Sequence, residues 1–274
     1  MLDLNKKSVH LRKSILRMVY ESKAGHIGGD LSVIDILNVL YNKHMNVSSE
    51  NIHDPERDRF ILSKGHCAYA LYSVLCDKGF FAEDELKTLN QFDSIFIGHP
   101  TVKVNGIEMC SGSLGHGLSV AAGMALAGKM DASSYRVYTV MGDGEIAEGS
   151  VWEGAMLAGH YKLDNLIAII DRNGLQISGE TEQVMAQEDL KGRFLSFGWN
   201  VINCVGNDIG EIDFALSNAK LFTGKPTAII AKTIKGCGIS FMENNAGWHH
   251  RVPTAEEFEL AMSELTAKEA AYNE

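Results

Sequence analysis

Proline, paired cysteines and basic charge are all scarce in this 274-residue sequence. With four prolines and no repeat, low-complexity tract or Pro/Gly/Ser-rich linker, nothing marks a domain boundary, so we predict one domain over 1–274. The five cysteines are odd in number and include no Cys-x-x-Cys pair. That pattern argues against a disulfide framework or a zinc site and favours reduced thiols in a cytoplasmic protein.

Charge and hydropathy exclude two further classes of partner. A formal net charge of −10 argues against nucleic acid, which requires a basic surface. No apolar run approaches the ~20 residues that cross a bilayer, so we expect no membrane partner. The N-terminal residues Leu11, Ile15, Met18 and Val19 repeat at helical spacing, which predicts an amphipathic helix rather than a signal peptide.

The apolar patterns alternate between helical and strand-like along the chain. Such alternation is typical of βαβ units, so we predict an α/β fold: a doubly wound, mostly parallel sheet with helices on both faces. A final helix is predicted to open at Pro253, with Thr254 as N-cap and Glu257 as its capping-box partner. The other predicted helices are 3–22, 31–44, 66–79, 115–130 and 146–161, and the predicted strands are 135–141, 166–171, 199–205 and 226–232.

Two of the predicted strands end in oxygen-bearing side chains. Asp143, within Gly-Asp-Gly, follows one strand, and Asn173 follows the next. Parallel sheets place ligands at the carboxyl ends of their strands. A carboxylate, a carboxamide and the carbonyl of Leu175 suit a hard cation such as Mg²⁺, with Ca²⁺ or Mn²⁺ as alternatives. A Gly-Asp-Gly segment alone is also compatible with an ordinary tight turn; the spacing to Asn173 favours the metal site.

Several histidines lie in glycine-containing motifs. His26 is in Gly-His-Ile-Gly-Gly, His66 in Ser-Lys-Gly-His and His99 in Gly-His-Pro, and His249 and His250 precede Pro253. Histidine donates or accepts protons near neutral pH, and glycines let backbone amides approach phosphate closely. We interpret the remaining histidines as surface or core residues: His10, His44, His53 and His160.

In order along the chain, these motifs and the Gly-Asp-Gly…Asn segment resemble the diphosphate-binding half of transketolases, from about residue 8 to 260. The resemblance implies a thiamine diphosphate cofactor and a magnesium site. It implies that His66 contacts the cofactor diphosphate, that His26, His99 and His250 line the substrate channel, and that Gly112 and Leu114 border the cofactor rings. The spacing to the following proline favours His250 over His249. The other implied cofactor contacts are Gly142, Asp143, Gly144, Glu145, Asn173, Ile177 and His250.

Glu148 and Glu153 match acidic positions that link paired active sites in the family; the alternative is the polar face of a helix. The stretch 117–128 is rich in small residues, which is compatible with a subunit interface or with packing inside the chain. Two positions depart from the usual family motifs, Asp30 and His116. Both add polar groups near the predicted channel, which leaves the sugar specificity open between ordinary pentose phosphates and the sugars of a specialised pathway.

The resemblance implies a two-polypeptide transketolase that moves a two-carbon ketol unit from a ketose phosphate to an aldose phosphate. The pyrimidine-binding and C-terminal domains, including the glutamate that activates the cofactor, would come from a partner subunit in an α2β2 assembly. The start at Met1 and the helical end favour a natural subunit over a truncated chain. Alternative functions are a subunit of a 2-oxo acid dehydrogenase or of deoxyxylulose-phosphate synthase, or a non-catalytic relative.

Overall fold

A computed structural model describes residues 3–272 of the chain; residues 1, 2, 273 and 274 lie outside the described part. Its centre is a parallel sheet of five strands in the order β1-β2-β3-β5-β4. The strands are β1 (Arg59–Leu62), β2 (Val137–Gly142), β3 (Leu166–Arg172), β4 (Asn200–Val205) and β5 (Thr227–Lys232). The predicted parallel α/β sheet is therefore confirmed, while the prediction that 1–274 forms one domain stays a prediction.

Helices cover both faces of the sheet. One apolar cluster includes α1, α2, α3, α8 and α9, and a second includes α4, α5 and α7 on the opposite face. The helices are α1 (Leu4–Ser22), α2 (Ile27–Val39), α3 (Ala68–Asp77), α4 (Gly117–Met130), α5 (Gly149–His160), α6 (Thr181–Val184), α7 (Leu190–Ser196), α8 (Ile209–Ala219) and α9 (Ala255–Ala271).

The central strands are apolar on both sides because both sides are covered. In β2, Tyr138 and Val140 pack into the first cluster, whereas Val137 and Met141 pack into the second. This two-sided burial explains why the strand reads as a continuous hydrophobic run rather than as an alternating one. Gly142 at the end of β2 pairs with Asp171 of β3, so these two strands end side by side.

Most predicted elements are present with small shifts at their ends, but one strand and two longer helices were not predicted. β1, α7 and α8 are absent from the predicted set. The predicted helix over 31–44 starts earlier, at Ile27, and its last turn, Leu40–His44, is a π-helix. The predicted helix over 66–79 opens with a 3₁₀ turn, Gly65–Cys67, before α3.

The last helix, α9, closes the fold against α1. Thr254 accepts a hydrogen bond from the Glu257 amide at 3.2 Å, and the Glu257 carboxylate accepts one from the Thr254 amide at 2.9 Å, which confirms the predicted capping box. Tyr20 of α1 stacks on Phe258 with ring centroids 4.3 Å apart. Within residues 3–272, none of the helices has the length and apolar character to cross a membrane.

Candidate active site at the carboxyl end of the sheet

Asp143 joins the ends of β2 and β3. It is buried, and its backbone amide donates to the carbonyl of Asp171. Its Oδ1 accepts from the Gly144 amide at 2.8 Å and its Oδ2 from the Gly174 amide at 2.6 Å. Burial raises the pKa of the Asp143 carboxyl, although the Gly174 amide opposes this effect. The carboxylate is thus held between two strand ends, where a nearby cation would offset the cost of its burial.

Asn173 and Leu175 lie on the loop after β3, beside Asp143. The Asn173 Oδ1 accepts from the Leu175 amide at 3.0 Å, which fixes the side chain in a short turn. Asp143, Asn173 and Leu175 line one cavity of about 470 Å³. The structure therefore brings together the three residues that the sequence predicts as metal ligands. Among the described residues there is no group of three or more His, Cys, Asp or Glu side chains that could hold a metal ion, so an ion here would rely on amide and backbone oxygens.

Glu145 is buried beside the cavity, but its oxygens are already engaged. Its Oε2 accepts from the Gly142 amide at 3.0 Å, and its Oε1 accepts from the Gly115 amide at 2.8 Å and from the Ser63 hydroxyl. Burial raises the pKa of the carboxyl, with these donors acting in the opposite direction. Glu145 therefore connects three segments beside the cavity, those of Ser63, Gly115 and Gly142.

A buried ion pair supports the floor of the site. Asp171 of β3 accepts from the Lys64 ammonium, from the Thr233 hydroxyl and from the Ser32 hydroxyl at 2.6 Å. Burial acts to lower the pKa of the Lys64 amine, but the adjacent Asp171 carboxylate outweighs it and raises this pKa. Lys64 therefore stays charged and links the segment after β1 to β3.

Four histidine rings surround that of His26, the N-cap residue of α2. The ring centroid of His26 lies 5.2 Å from that of His66, 6.1 Å from His99, 5.4 Å from His249 and 4.7 Å from His250. His26, His66, His99 and His249 line the cavity. His250 is exposed and is not among the residues that line the cavity, although its ring lies beside that of His26.

Burial keeps the cavity histidines uncharged. It lowers the pKa of His26 to about 4, with further contributions from His250 and His99, and it lowers the pKa of His249 to about 3, helped by Lys235. Burial also lowers the pKa of His66 and of His99. Near neutral pH each of these imidazoles can therefore donate one hydrogen bond and accept another.

Lys235 adds a second cation to the cavity. Its Nζ lies 2.9 Å from the Nδ1 of His249. Burial, followed by the charge of Lys64, lowers the pKa of the Lys235 amine to about 8. The sequence predictions include neither Lys235 nor His249 as a preferred site residue, although Lys235 follows the end of β5, where ligands are expected in a parallel sheet.

The cavity wall contains most of the predicted site residues. Gly112, with a φ of 149°, lies so close to His99 that an added Cβ would come within 3.1 Å of the imidazole. Glu148 is exposed at the cavity edge, whereas Glu153 is exposed on α5 outside the wall. The predicted residues that line the cavity are His26, His66, His99, Gly112, Leu114, Gly142, Asp143, Gly144, Glu145, Glu148, Asn173, Leu175 and Ile177.

Residues 5–271 match the family model described as transketolase, thiamine diphosphate binding domain. The chain is 49% identical over 257 residues to a Phocaeicola vulgatus protein named as one subunit of an apulose-4-phosphate transketolase, covering 94% of this chain and 92% of that relative. It is 42% identical over 265 residues to a 6-deoxy-6-sulfo-D-fructose transketolase subunit of a Clostridium species, covering 96% of each.

The fold is similar to that of a solved transketolase variant from Pichia stipitis, with a TM-score of 0.90 and 29% identity. The similarity covers 99% of this chain but 44% of that one, so this chain spans less than half of the solved transketolase. Family model, relatives and fold agree: the chain belongs to the transketolase family, as its thiamine diphosphate binding part.

Proposed function

We propose that the chain is the N-terminal subunit of a thiamine diphosphate-dependent transketolase, which transfers a two-carbon ketol unit from a ketose phosphate to an aldose phosphate. The observation that carries the proposal is the cavity where Asp143 and Asn173 meet two lysines and four histidines. A partner subunit would supply the pyrimidine-binding and C-terminal domains. The Phocaeicola relative, whose name denotes one subunit of its enzyme, supports this division into two polypeptides.

The cavity fits a magnesium diphosphate. Asp143 Oδ2, Asn173 Oδ1 and the Leu175 carbonyl are oxygen ligands of the kind that Mg²⁺ prefers, with phosphate oxygens and water completing the shell. Ca²⁺ or Mn²⁺ could take the same ligands. Lys64 and Lys235 place positive charge where the diphosphate would lie. The raised pKa of Asp143 supports this site, because a divalent cation would offset the cost of burying the carboxylate.

The remaining wall residues would hold and surround the coenzyme. His66 would donate a hydrogen bond to the diphosphate, and Gly112 and Leu114 would border the rings. Ile177, which is 76% exposed, would be covered by the cofactor. Thiamine diphosphate supplies the nucleophile and the electron sink that C–C cleavage of a ketose requires. This chain would anchor that group, and the partner would complete its activation.

The histidines would act on the sugar. His26, His99 and His249 are neutral near pH 7, so each can donate a hydrogen bond to a substrate oxygen or accept a proton from a hydroxyl and later return it. The Nδ1 of His26 is buried and has no hydrogen-bond partner among the described residues, so it is available to a ligand. His250 is the alternative to His249 for this contact, because the family spacing favours it.

We propose an α2β2 assembly in which two copies of this chain meet through α4 and α5. These helices pack on each other through Ser119 and Ser150. Their outer sides nevertheless expose apolar residues: Val120, Met130, Met156, Leu157 and Tyr161. An apolar helix face without a partner in the described part of the chain favours burial against a second copy. Glu148 and Glu153 lie at the start of α5, where they would link the two active sites.

The substrates would be sugar phosphates. Activity assays, rather than similarity to the relatives, would identify which sugars they are. The two subunit relatives are named for two different sugars, an apulose phosphate and a sulfonated deoxyfructose. Pentose phosphates remain the first pair to test. We also propose a cytoplasmic location, which is supported by five cysteines that are all free thiols.

The test is reconstitution with the C-terminal subunit from the same source. Chain and partner together, with thiamine diphosphate and Mg²⁺, should transfer a ketol unit, and neither should do so alone. Asp143→Ala and Asn173→Ala should each weaken cofactor uptake at least about a hundredfold in calorimetry. Asp164→Ala, which removes a carboxylate from the opposite end of β3, serves as the matched control. Undiminished cofactor and magnesium binding by both site variants, or activity on pyruvate alone, would refute the proposal.

A further inference from the structure

Helix α3 begins without a cap from its own first residues. Its N-cap residue, Cys67, offers no side-chain hydrogen bond to the free amides of the first turn. The carboxylate of Asp30, which belongs to the first turn of α2, fills this role: its Oδ1 accepts from the Ala70 amide at 2.9 Å. A buried helix end requires such an acceptor, because its first amides have no partner within the helix.

The same residue is also bonded to the start of its own helix. The backbone amide of Asp30 donates to the carbonyl of His26 at 3.1 Å. Asp30 has no exposed surface, and its Oδ2 has no hydrogen-bond partner among the described residues, so water does not compete for the Ala70 amide. α2 begins directly after His26, and α3 follows the 3₁₀ turn that contains His66. Asp30 therefore connects the backbone behind His26, through its own amide, with the backbone behind His66, through its side chain.

We propose that Asp30 is a positioning residue, which holds His26 and His66 at their mutual distance because its carboxylate caps α3 from the first turn of α2. It touches neither the cavity nor a reacting atom and acts through these two histidines. The proposal rests on the proposed transketolase function only for its kinetic test. The ring separation that it explains, 5.2 Å between the His26 and His66 centroids, is a property of the chain itself.

The titratable groups that face Asp30 come from each element around it, and Lys64 is the one with the opposite charge. Lys64 and Cys67 face it from the segment before α3, Tyr69 from α3, and His26 from its own helix. Burial raises the pKa of the carboxyl to about 7, against the opposing effects of the amides and of Lys64. Protonation would weaken the hydrogen bonds that it accepts, because a neutral carboxyl is a poorer acceptor than a carboxylate. The capping therefore weakens as the pH falls below about 7.

The test compares Asp30→Asn, Asp30→Ala and a matched control, Asp35→Asn, in the assembly with the partner subunit. Asp35 is a buried carboxylate of the same helix, but it pairs with Arg12 and Asn207 away from the histidines. We expect Asp30→Asn, which keeps an acceptor oxygen, to lower kcat/KM about tenfold at pH 8, and Asp30→Ala to lower it about a hundredfold. The parent's loss of kcat/KM below pH 7 should be missing in Asp30→Asn and retained in Asp35→Asn.

A second measurement uses the chain alone and needs no activity. In ¹⁵N-histidine NMR, the His26 ring resonances of the parent should shift between pH 6 and 7.5, about the range in which Asp30 titrates. The same resonances should stay unchanged over this range in Asp30→Asn. Parent-like kinetics and resonances in that variant, or an equal loss in Asp35→Asn, would overturn the inference. An inactive parent assembly would instead count against the transketolase function, and the NMR comparison would still decide the role of Asp30.

Discussion

The two adjacent histidines after Trp248 differ in their relation to the cavity. His249 lines it and contacts Lys235, whereas His250 is exposed and does not line it, although its ring lies beside that of His26. We therefore expect His249→Ala to lower kcat/KM about a hundredfold, as for loss of a proton-transfer group. His250→Ala should change it by no more than about threefold, as for a surface substitution. Steady-state kinetics of the two variant assemblies measures these losses of kcat/KM. A larger loss in His250→Ala than in His249→Ala would support the family spacing, which favours His250.

Lys235 makes cofactor affinity depend on pH. Its pKa of about 8 is lowered by burial, so the amine is charged below pH 8 and neutral above it. Only the charged form attracts a diphosphate, so affinity should fall as the pH rises through 8, by up to about tenfold per pH unit. Lys235→Arg should bind equally well at pH 7 and pH 9, because a guanidinium stays charged.

Calorimetry of thiamine diphosphate binding at pH 7, 8 and 9 measures this effect, with Lys235→Met as the control that lacks the charge at every pH. A parallel decline in the parent and in Lys235→Arg would show that another group causes the pH dependence.

Single residues of the site could be predicted where a strand end and a motif coincide. Asp143 and Asn173 each follow an apolar run, so their position at neighbouring strand ends could be predicted from the sequence, while their role as metal ligands stays a prediction. The hydrogen bonds of Glu145 could not be predicted, because its partners Gly115 and Ser63 lie 30 and 82 residues away along the chain. Lys235 and His249 come together only in three dimensions, since the segment between them carries no periodic pattern that would fix their distance.

At the scale of elements, a long element or a strongly apolar run was predicted most accurately. α4, α5 and β3 are long or strongly apolar, and their predicted bounds are within three residues of the observed ones. β1 has four residues, of which three are apolar, which is too short to show a period. α8 has eleven residues and was also missed. The parallel α/β sheet could therefore be predicted from the sequence, but its edge strand β1, which precedes the His66 segment, could not be predicted.

Helix α4 offers a test of the proposed contact between two copies. Gly123 is exposed, and an added Cβ would meet nothing within 4 Å in the chain. Gly123→Arg should therefore fold normally as a single chain, with a free energy of unfolding that is unchanged or raised by up to about 1 kcal/mol, because arginine is a better helix former than glycine. At an interface between copies, the same arginine would bury an unpaired charge and separate the two copies.

Light scattering after gel filtration should show that Gly123→Arg halves the mass of the assembly. Ser217→Arg on α8, exposed on the opposite face of the sheet, is the matched control and should leave the mass unchanged. An unchanged mass for Gly123→Arg would mean that the small residues of 117–128 serve packing within the chain, the alternative that the sequence also allows.

At the scale of the whole molecule, burial of the Asp143 carboxylate lowers the free energy of unfolding, and bound ligands would raise it again. Because burial raises the pKa of Asp143 above its unfolded value, the folded chain binds that proton more tightly. Its free energy of unfolding therefore decreases as the pH rises from the unfolded pKa through the folded one. A bound cation would offset this cost, because it favours the charged carboxylate.

We therefore expect thiamine diphosphate with Mg²⁺ to raise the Tm of the assembly with its partner. At about 100 times the Kd, ligand binding contributes about 2.7 kcal/mol, which corresponds to a shift of about 5 to 10 °C for a domain of this size. Thiamine diphosphate with EDTA should give little of this shift, because the diphosphate would then lack the ion that joins it to Asp143 and Asn173. Differential scanning calorimetry measures the Tm of the assembly under each of these conditions. Asp143→Ala is the variant whose Tm should not respond to Mg²⁺. An equal shift with and without the metal would show that the cofactor does not bind through a metal ion at the ends of β2 and β3. Lys64, His66 and Lys235 would then be the residues that anchor it.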